Sequence, residues 1–98
     1  MKLLNLKIAS LTYLKNQISI GVIFDLNQEE SDQTTINEIK SMYIHKEVTI
    51  KTSDKVITTK ILNVDGYSTN YEPNLLNIFF QTTLDINHNI ETGNEIII

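Results

Sequence analysis

The sequence predicts an α+β domain: a small, mostly antiparallel β-sheet or barrel of about six strands with one short helix. Three observations lead there. Ile, Val and Thr recur along the whole chain while Ala9 is the only alanine, and β-branched side chains are stiff at χ1 and pack well on a pleated surface. Several segments alternate apolar and polar residues with period two, the signature of strands with one buried face. One segment alone carries helical spacing.

Leu4, Leu6 and Ile8 alternate with Asn5 and Lys7 and read as a first strand, which Leu11 to Leu14 continues or bends. Lys15-Asn16-Gln17 is a turn. Ile18, Ile20, Val22, Phe24 and Leu26 then share one face of the clearest strand, with Ser19, Gly21, Ile23 and Asp25 on the other. A hairpin joins the two. Residues 27–34 are polar and acidic and read as a surface loop. Thr35 and Glu38 match a capping box, T-x-x-E, and Ile36, Ile39 and Tyr43 follow on one face of a helix ending near His45. A helix this short persists only by packing its apolar face on the sheet.

Glu47 to Lys51 is a strand, Ser53-Asp54 a turn, and Lys55 to Val64 a longer strand ended by an Asp65-Gly66 turn signal. Tyr67 to Asn74, with the sole proline Pro73, reads as a loop. Leu76, Ile78, Phe80, Thr82, Leu84 and Ile86 alternate along another long strand, where Phe79 and Phe80 must point to opposite faces. Thr92-Gly93-Asn94 turns into a last strand, Glu95 to Ile98.

Length and composition bound the function. The 98 residues fit one domain, 1–98, with no room for a second core. A hydrophobic fraction of 41% argues against intrinsic disorder. With no Cys there are no disulfides, thiolate metal sites or thiol chemistry. Lys7 interrupts the N-terminal apolar run and no small-residue cleavage site follows, so this stretch is expected to be a strand rather than a signal peptide, and the protein cytoplasmic. No stretch is long and apolar enough to span a bilayer, so no membrane role is expected. The net charge of −4 and the lack of any Arg disfavour nucleic acid, since Arg supplies the forks that grip phosphate and guanine.

The chemical motifs are sparse. Asp85 to Glu91 starts like a calcium loop, but Ile90 stands where such a loop needs Gly and Ile96 where it needs Glu. His45 and His88 have no metal-ligand spacing; His45 is expected to complement the negative end of the helix dipole. Gly21, Gly66 and Gly93 are isolated, so no glycine-rich loop cradles phosphate. No catalytic, metal or cofactor residues are therefore expected, and an enzyme is the least favoured class. Candidate partner-binding residues are the aromatic loop Tyr67, Tyr71 and Pro73, with Ile96, Ile97 and Ile98 as a second candidate. Those three isoleucines either pair into the sheet as a final strand, the favoured reading, or expose a sticky edge for assembly.

The blocks Gln17–Leu26, Ile36–Ile39 and His45–Ile50 resemble the strand–short helix–strand arrangement found near the N-termini of small accessory proteins encoded by bacteriophages and mobile elements. The likeness covers about half the chain and carries no catalytic motif. It implies an accessory role, not a reaction. The leading expectation is a non-catalytic protein-binding protein, such as a phage-encoded modulator of a host protein. The alternatives are a self-assembling subunit, for instance a virion component joining through its sheet edge, and an accessory to single-stranded nucleic acid.

Overall fold

A computed structural model describes residues 5–25, 33–68, 75–84 and 88–98. Their elements run β1 (Asn5–Lys7), β2 (Ser10–Leu14), β3 (Gln17–Asp25), α1 (Gln33–Tyr43), β4 (Glu47–Lys51), β5 (Val56–Ser68), β6 (Leu75–Thr82) and β7 (Glu95–Ile97). The strands form one sheet in the order β1-β7-β4-β5-β6-β3-β2, and each pairing is antiparallel. The α+β class and the antiparallel sheet are as the alternating pattern requires. The strand number is seven, not six, because the first apolar stretch divides at Ile8-Ala9 into β1 and β2.

That division explains the curvature. β1 and β2 lie at opposite ends of the strand order yet are only two residues apart in sequence, so the sheet has to curl into a half-barrel to bring its ends together. Ile8 exchanges backbone bonds with the β7 side, its N–H donating to Asn94 (2.9 Å) and its carbonyl accepting from Gly93 (2.8 Å). Ala9 turns the other way and donates to Gly21 of β3 (2.8 Å). A second corner lies in β5, whose first half pairs with β4 and whose second half pairs with β6, with a register shift between Ile61 and Asn63. A bulge bends a strand and increases its twist, and strands that pass between sheets at such bends make the corners of small barrels.

The inward residues follow the period of two, except for one step of three in β5 where the register shift falls between Ile61 and Val64. Ile18, Ile20 and Val22 of β3, Val48 and Ile50 of β4, Ile61 and Val64 of β5, and Leu76, Ile78 and Phe80 of β6 are all buried. At roughly 1.5–3 kcal/mol for each fully buried aliphatic or aromatic side chain, this layer is the main stabilising term. Helix α1 adds Ile36, Ile39 and Tyr43, all buried, and sets the Tyr43 ring edge-on to Phe24 (centroids 6.0 Å apart) and Phe80 (5.9 Å). Its backbone then stops in the left-handed conformation at His45 (φ 65°), whose N–H donates to Ile61 (2.9 Å) and ties the helix end to β5. Among the described residues two polar side chains are buried, Thr59 and, deeper, Thr82. The buried Thr82 hydroxyl donates to the Ile18 carbonyl (3.1 Å) and accepts from the Leu84 N–H (3.2 Å).

Three local expectations are corrected. Asp65-Gly66 is no turn: both residues lie inside β5, paired with Phe79 and Ile78. Gly66 serves close approach instead, since a Cβ there would sit 2.7 Å from Ile78 Cδ1 and 3.6 Å from Ile36 Cγ2. The helix begins at Gln33, so Thr35 lies in its first turn and the T-x-x-E pair does not mark the helix start. The β6 strand stops at Thr82, although Leu84 beyond it is still buried. Residues 85–87 and 69–74, with much of the calcium-like stretch and of the proposed aromatic loop, lie outside the described residues.

Candidate partner-binding surface

The outward positions of a half-buried strand are ordinarily polar. On interior strands of this sheet some are not. Antiparallel register lines them up in rows across β3, β6 and β5: Ile23 beside Asn77 beside Tyr67, and one row over, Gly21 beside Phe79 beside Asp65. Ile23 is 45% and Tyr67 54% exposed, with Phe79 half-buried between them. Tyr67 and Phe79 stack with ring centroids 5.5 Å apart and planes 22° from parallel. Stacking of this kind favours the paired arrangement of the two rings by about 0.5–1.5 kcal/mol. Phe79 in turn lies over Gly21, where a Cβ would meet its Cε1 at 3.0 Å. The absent side chain on β3 is what lets the ring lie flat.

Apolar and aromatic groups thus form the centre of this face, with Asn77, Gln81 and Ser19 half-buried and Asp65 exposed around it. Asp65 has an ion-pair partner in Lys40 of α1 at 3.8 Å, a surface pair worth little by itself. The chemistry on offer is apolar contact, ring faces and amide hydrogen bonds. Tyr43 is the described group whose acidity is displaced: burial raises its pKa above the usual phenol value. It lies in the core against Phe24 and Phe80, not on this face.

The candidate residues part company in the structure. Tyr67 belongs to β5 rather than to a loop, and it is exposed. Tyr71 and Pro73 lie outside the described residues. Ile96 is fully buried, with Leu6 of β1 and Ile50 of β4 as its cross-strand partners, and Ile98 is buried as well. Their side chains meet the core of their own chain, so they are no part of an outer contact surface; Ile97 is half-buried. The sheet-pairing reading of this segment is the one that describes it. Ile90, at the glycine position of the calcium-like stretch, is likewise a core residue. His45 is exposed and His88 half-buried, and among the described residues no group of three or more His, Asp or Glu could hold a metal ion.

Ile23 and Phe79 are the surface residues that sequence reasoning missed. The signal was present: each is the bulky apolar residue at an outward position of a strand whose inward positions were already assigned.

No protein-family model matches this chain, and neither curated proteins nor solved structures give a match. Among the described residues no helix is long and apolar enough to cross a membrane.

Proposed function

We propose that this chain is a non-catalytic protein-binding module that docks through the outer face of β3, β6 and β5. One observation carries the reading: the stacked Tyr67–Phe79 pair beside exposed Ile23, held on interior strands of the sheet. Aromatic anchors with little conformational entropy to lose are the groups that dominate protein interfaces, especially with a polar surround that excludes water. A site on paired strands is also preorganised in a way that a loop is not. A modulator of a host protein, carried by a phage or mobile element, is the concrete form that the half-chain resemblance suggests.

The test compares the wild-type chain with Ile23→Glu and Tyr67→Glu as bait for partner capture, after circular dichroism and urea unfolding show the variants folded. Loss of a specific partner with either variant supports the proposal; a partner retained equally by both overturns it. Stacked rings could also receive bases. Oligonucleotide retention that falls steeply with salt and disappears with Tyr67→Glu would replace this proposal with the nucleic-acid reading.

A further inference from the structure

Lysine is distributed unevenly over the two outer faces. Lys7, Lys51 and Lys60 stand at outward register positions of β1, β4 and the first half of β5, beside Glu95 and Glu47. No Lys or His stands at an outward position of β2, β3, β6 or the second half of β5. The charged residues placed on that aromatic face are Asp65 and, at the end of β3, Asp25. Asp65 is the cross-strand partner of Phe79, and Tyr67 follows two residues on, about 7 Å along the same face. One side of the Tyr67 ring is taken by Phe79, and 54% of the residue stays exposed. A carboxylate thus stands beside an open aromatic surface. One cation already reaches it. Lys40 extends from α1, which packs on β5, and stops 3.8 Å from the Asp65 carboxylate, both side chains being well exposed. That separation is about 1 Å longer than a charge-assisted hydrogen bond.

We propose that Asp65 and the Tyr67–Phe79 pair form the seat for one arginine side chain of the docking partner, with Lys40 as the placeholder it displaces. This rests on the docking role of the aromatic face and names what that face recognises. A guanidinium combines two contacts that an ammonium cannot. Its planar fork takes both carboxylate oxygens of Asp65, and its plane stacks on the ring of Tyr67. The chain has no Arg, so none of its own side chains can make that pair of contacts. Lys40 meets the carboxylate by a long contact on a flexible stem, and an exposed pair of this kind holds weakly. The partner surface is accordingly basic, set against a chain of net charge −4 whose aromatic face has no cation on its own strands.

Capped Gly-Arg-Gly and Gly-Lys-Gly tripeptides probe the seat, by NMR titration of the backbone amides at fixed ionic strength. The arginine peptide should shift Asp65, Tyr67 and Phe79 and bind more tightly than the lysine peptide. Asp65→Asn should weaken arginine binding about tenfold, and Tyr67→Leu about two- to fivefold. Lys40→Gln should tighten it, because the placeholder is gone, whereas Lys55→Gln, the same charge change in the β4–β5 turn, should not. Glu91→Gln, which removes an exposed carboxylate outside this face, should leave it unchanged. Equal affinity for the two peptides overturns the proposal. So does a Lys40→Gln effect no larger than that of Lys55→Gln, or equal losses from Glu91→Gln and Asp65→Asn. Partner capture separates the proposal from the reading it rests on: a partner lost with Ile23→Glu yet retained by Asp65→Asn leaves docking intact and removes the arginine seat.

Discussion

The ring of Phe79 lies against the bare backbone of Gly21, its cross-strand partner, so closely that a Cβ on Gly21 would stand 3.0 Å from Cε1 and 3.2 Å from Cδ1 of the ring. It would also run into the hydroxyl of Ser10, the register partner of Gly21 on β2. One missing side chain on β3 therefore lets three neighbouring strands, β2, β3 and β6, meet on their outer face.

Gly21→Ala should destabilise the fold by about 1–3 kcal/mol, the usual cost of overpacking. Ser10 is small, so its hydroxyl can rotate aside, but the Phe79 ring is stacked on Tyr67 and has less freedom. The urea midpoint measures this. Ser10→Ala in the Gly21→Ala background should recover part of the loss, and Phe79→Leu more; an unchanged midpoint for Gly21→Ala would mean that the ring does not cover the glycine.

Tyr43 gives the fold an alkaline limit. Its phenol is buried between Phe24 and Phe80, and desolvation disfavours the phenolate, so its folded-state pKa lies above the value near 10 that holds in the unfolded chain. The unfolded state releases this proton first as pH rises. The contribution of Tyr43 is thus fully present below pH 10 and is lost as pH climbs through the raised folded value. Urea unfolding across pH 8 to 11 should show stability falling at the alkaline end, and Tyr43→Phe should flatten that decline relative to the wild type. Equal slopes in the two proteins would place the titration elsewhere.

How much of this was legible in the sequence depends on what overrode local pattern. The alternation through β3, β4 and β6 was readable because one face of each strand is buried, and the spacing of Ile36, Ile39 and Tyr43 marked the helix face for the same reason. Asp65-Gly66 misled because dipeptide propensity is weak beside cross-strand pairing: the glycine serves contact with Ile78 and Ile36, a tertiary demand with no local sign. His45 marks a helix end that ordinarily uses Gly or Asn, so the left-handed residue could not be read from composition. Ile23 and Phe79 were each readable as bulky apolar residues at outward positions, but the rows that join them with Tyr67 into one face exist only once register is known.

Thr82 holds two strands and the chain beyond β6 through one hydroxyl, donating to Ile18 and accepting from Leu84. Thr82→Val keeps the shape but leaves a buried N–H without its acceptor, at a cost of about 1–3 kcal/mol. Thr82→Ser keeps the bonds and loses only a methyl group, about 0.8 kcal/mol. The order Thr, Ser, Val in urea midpoint is the expected result. Val equal to or above Thr would show that water or another group takes over the role.

Deleting Ile96, Ile97 and Ile98 should abolish the cooperative fold. β7 is not at the margin of the sheet: Ile96 is paired with Leu6 on one side and Ile50 on the other, so the strand bridges β1 to β4. Removal takes two buried isoleucines out of the core, at roughly 1.5–3 kcal/mol each, from a total stability that for small domains is about 5–15 kcal/mol. It also opens an edge on β1 and another on β4, and open edges template association. The truncated chain should therefore lose its urea transition and scatter light as aggregates. Were the three isoleucines an assembly edge instead, truncation would leave folding intact and yield a smaller, stable species. Ile96→Ala separates the packing loss from the edge exposure, since it empties the core position while keeping the β7 backbone. It should lower the urea midpoint by about 2–5 kcal/mol in equivalent free energy without raising aggregation. Truncation that leaves the midpoint where it was would contradict the bridging role of this strand.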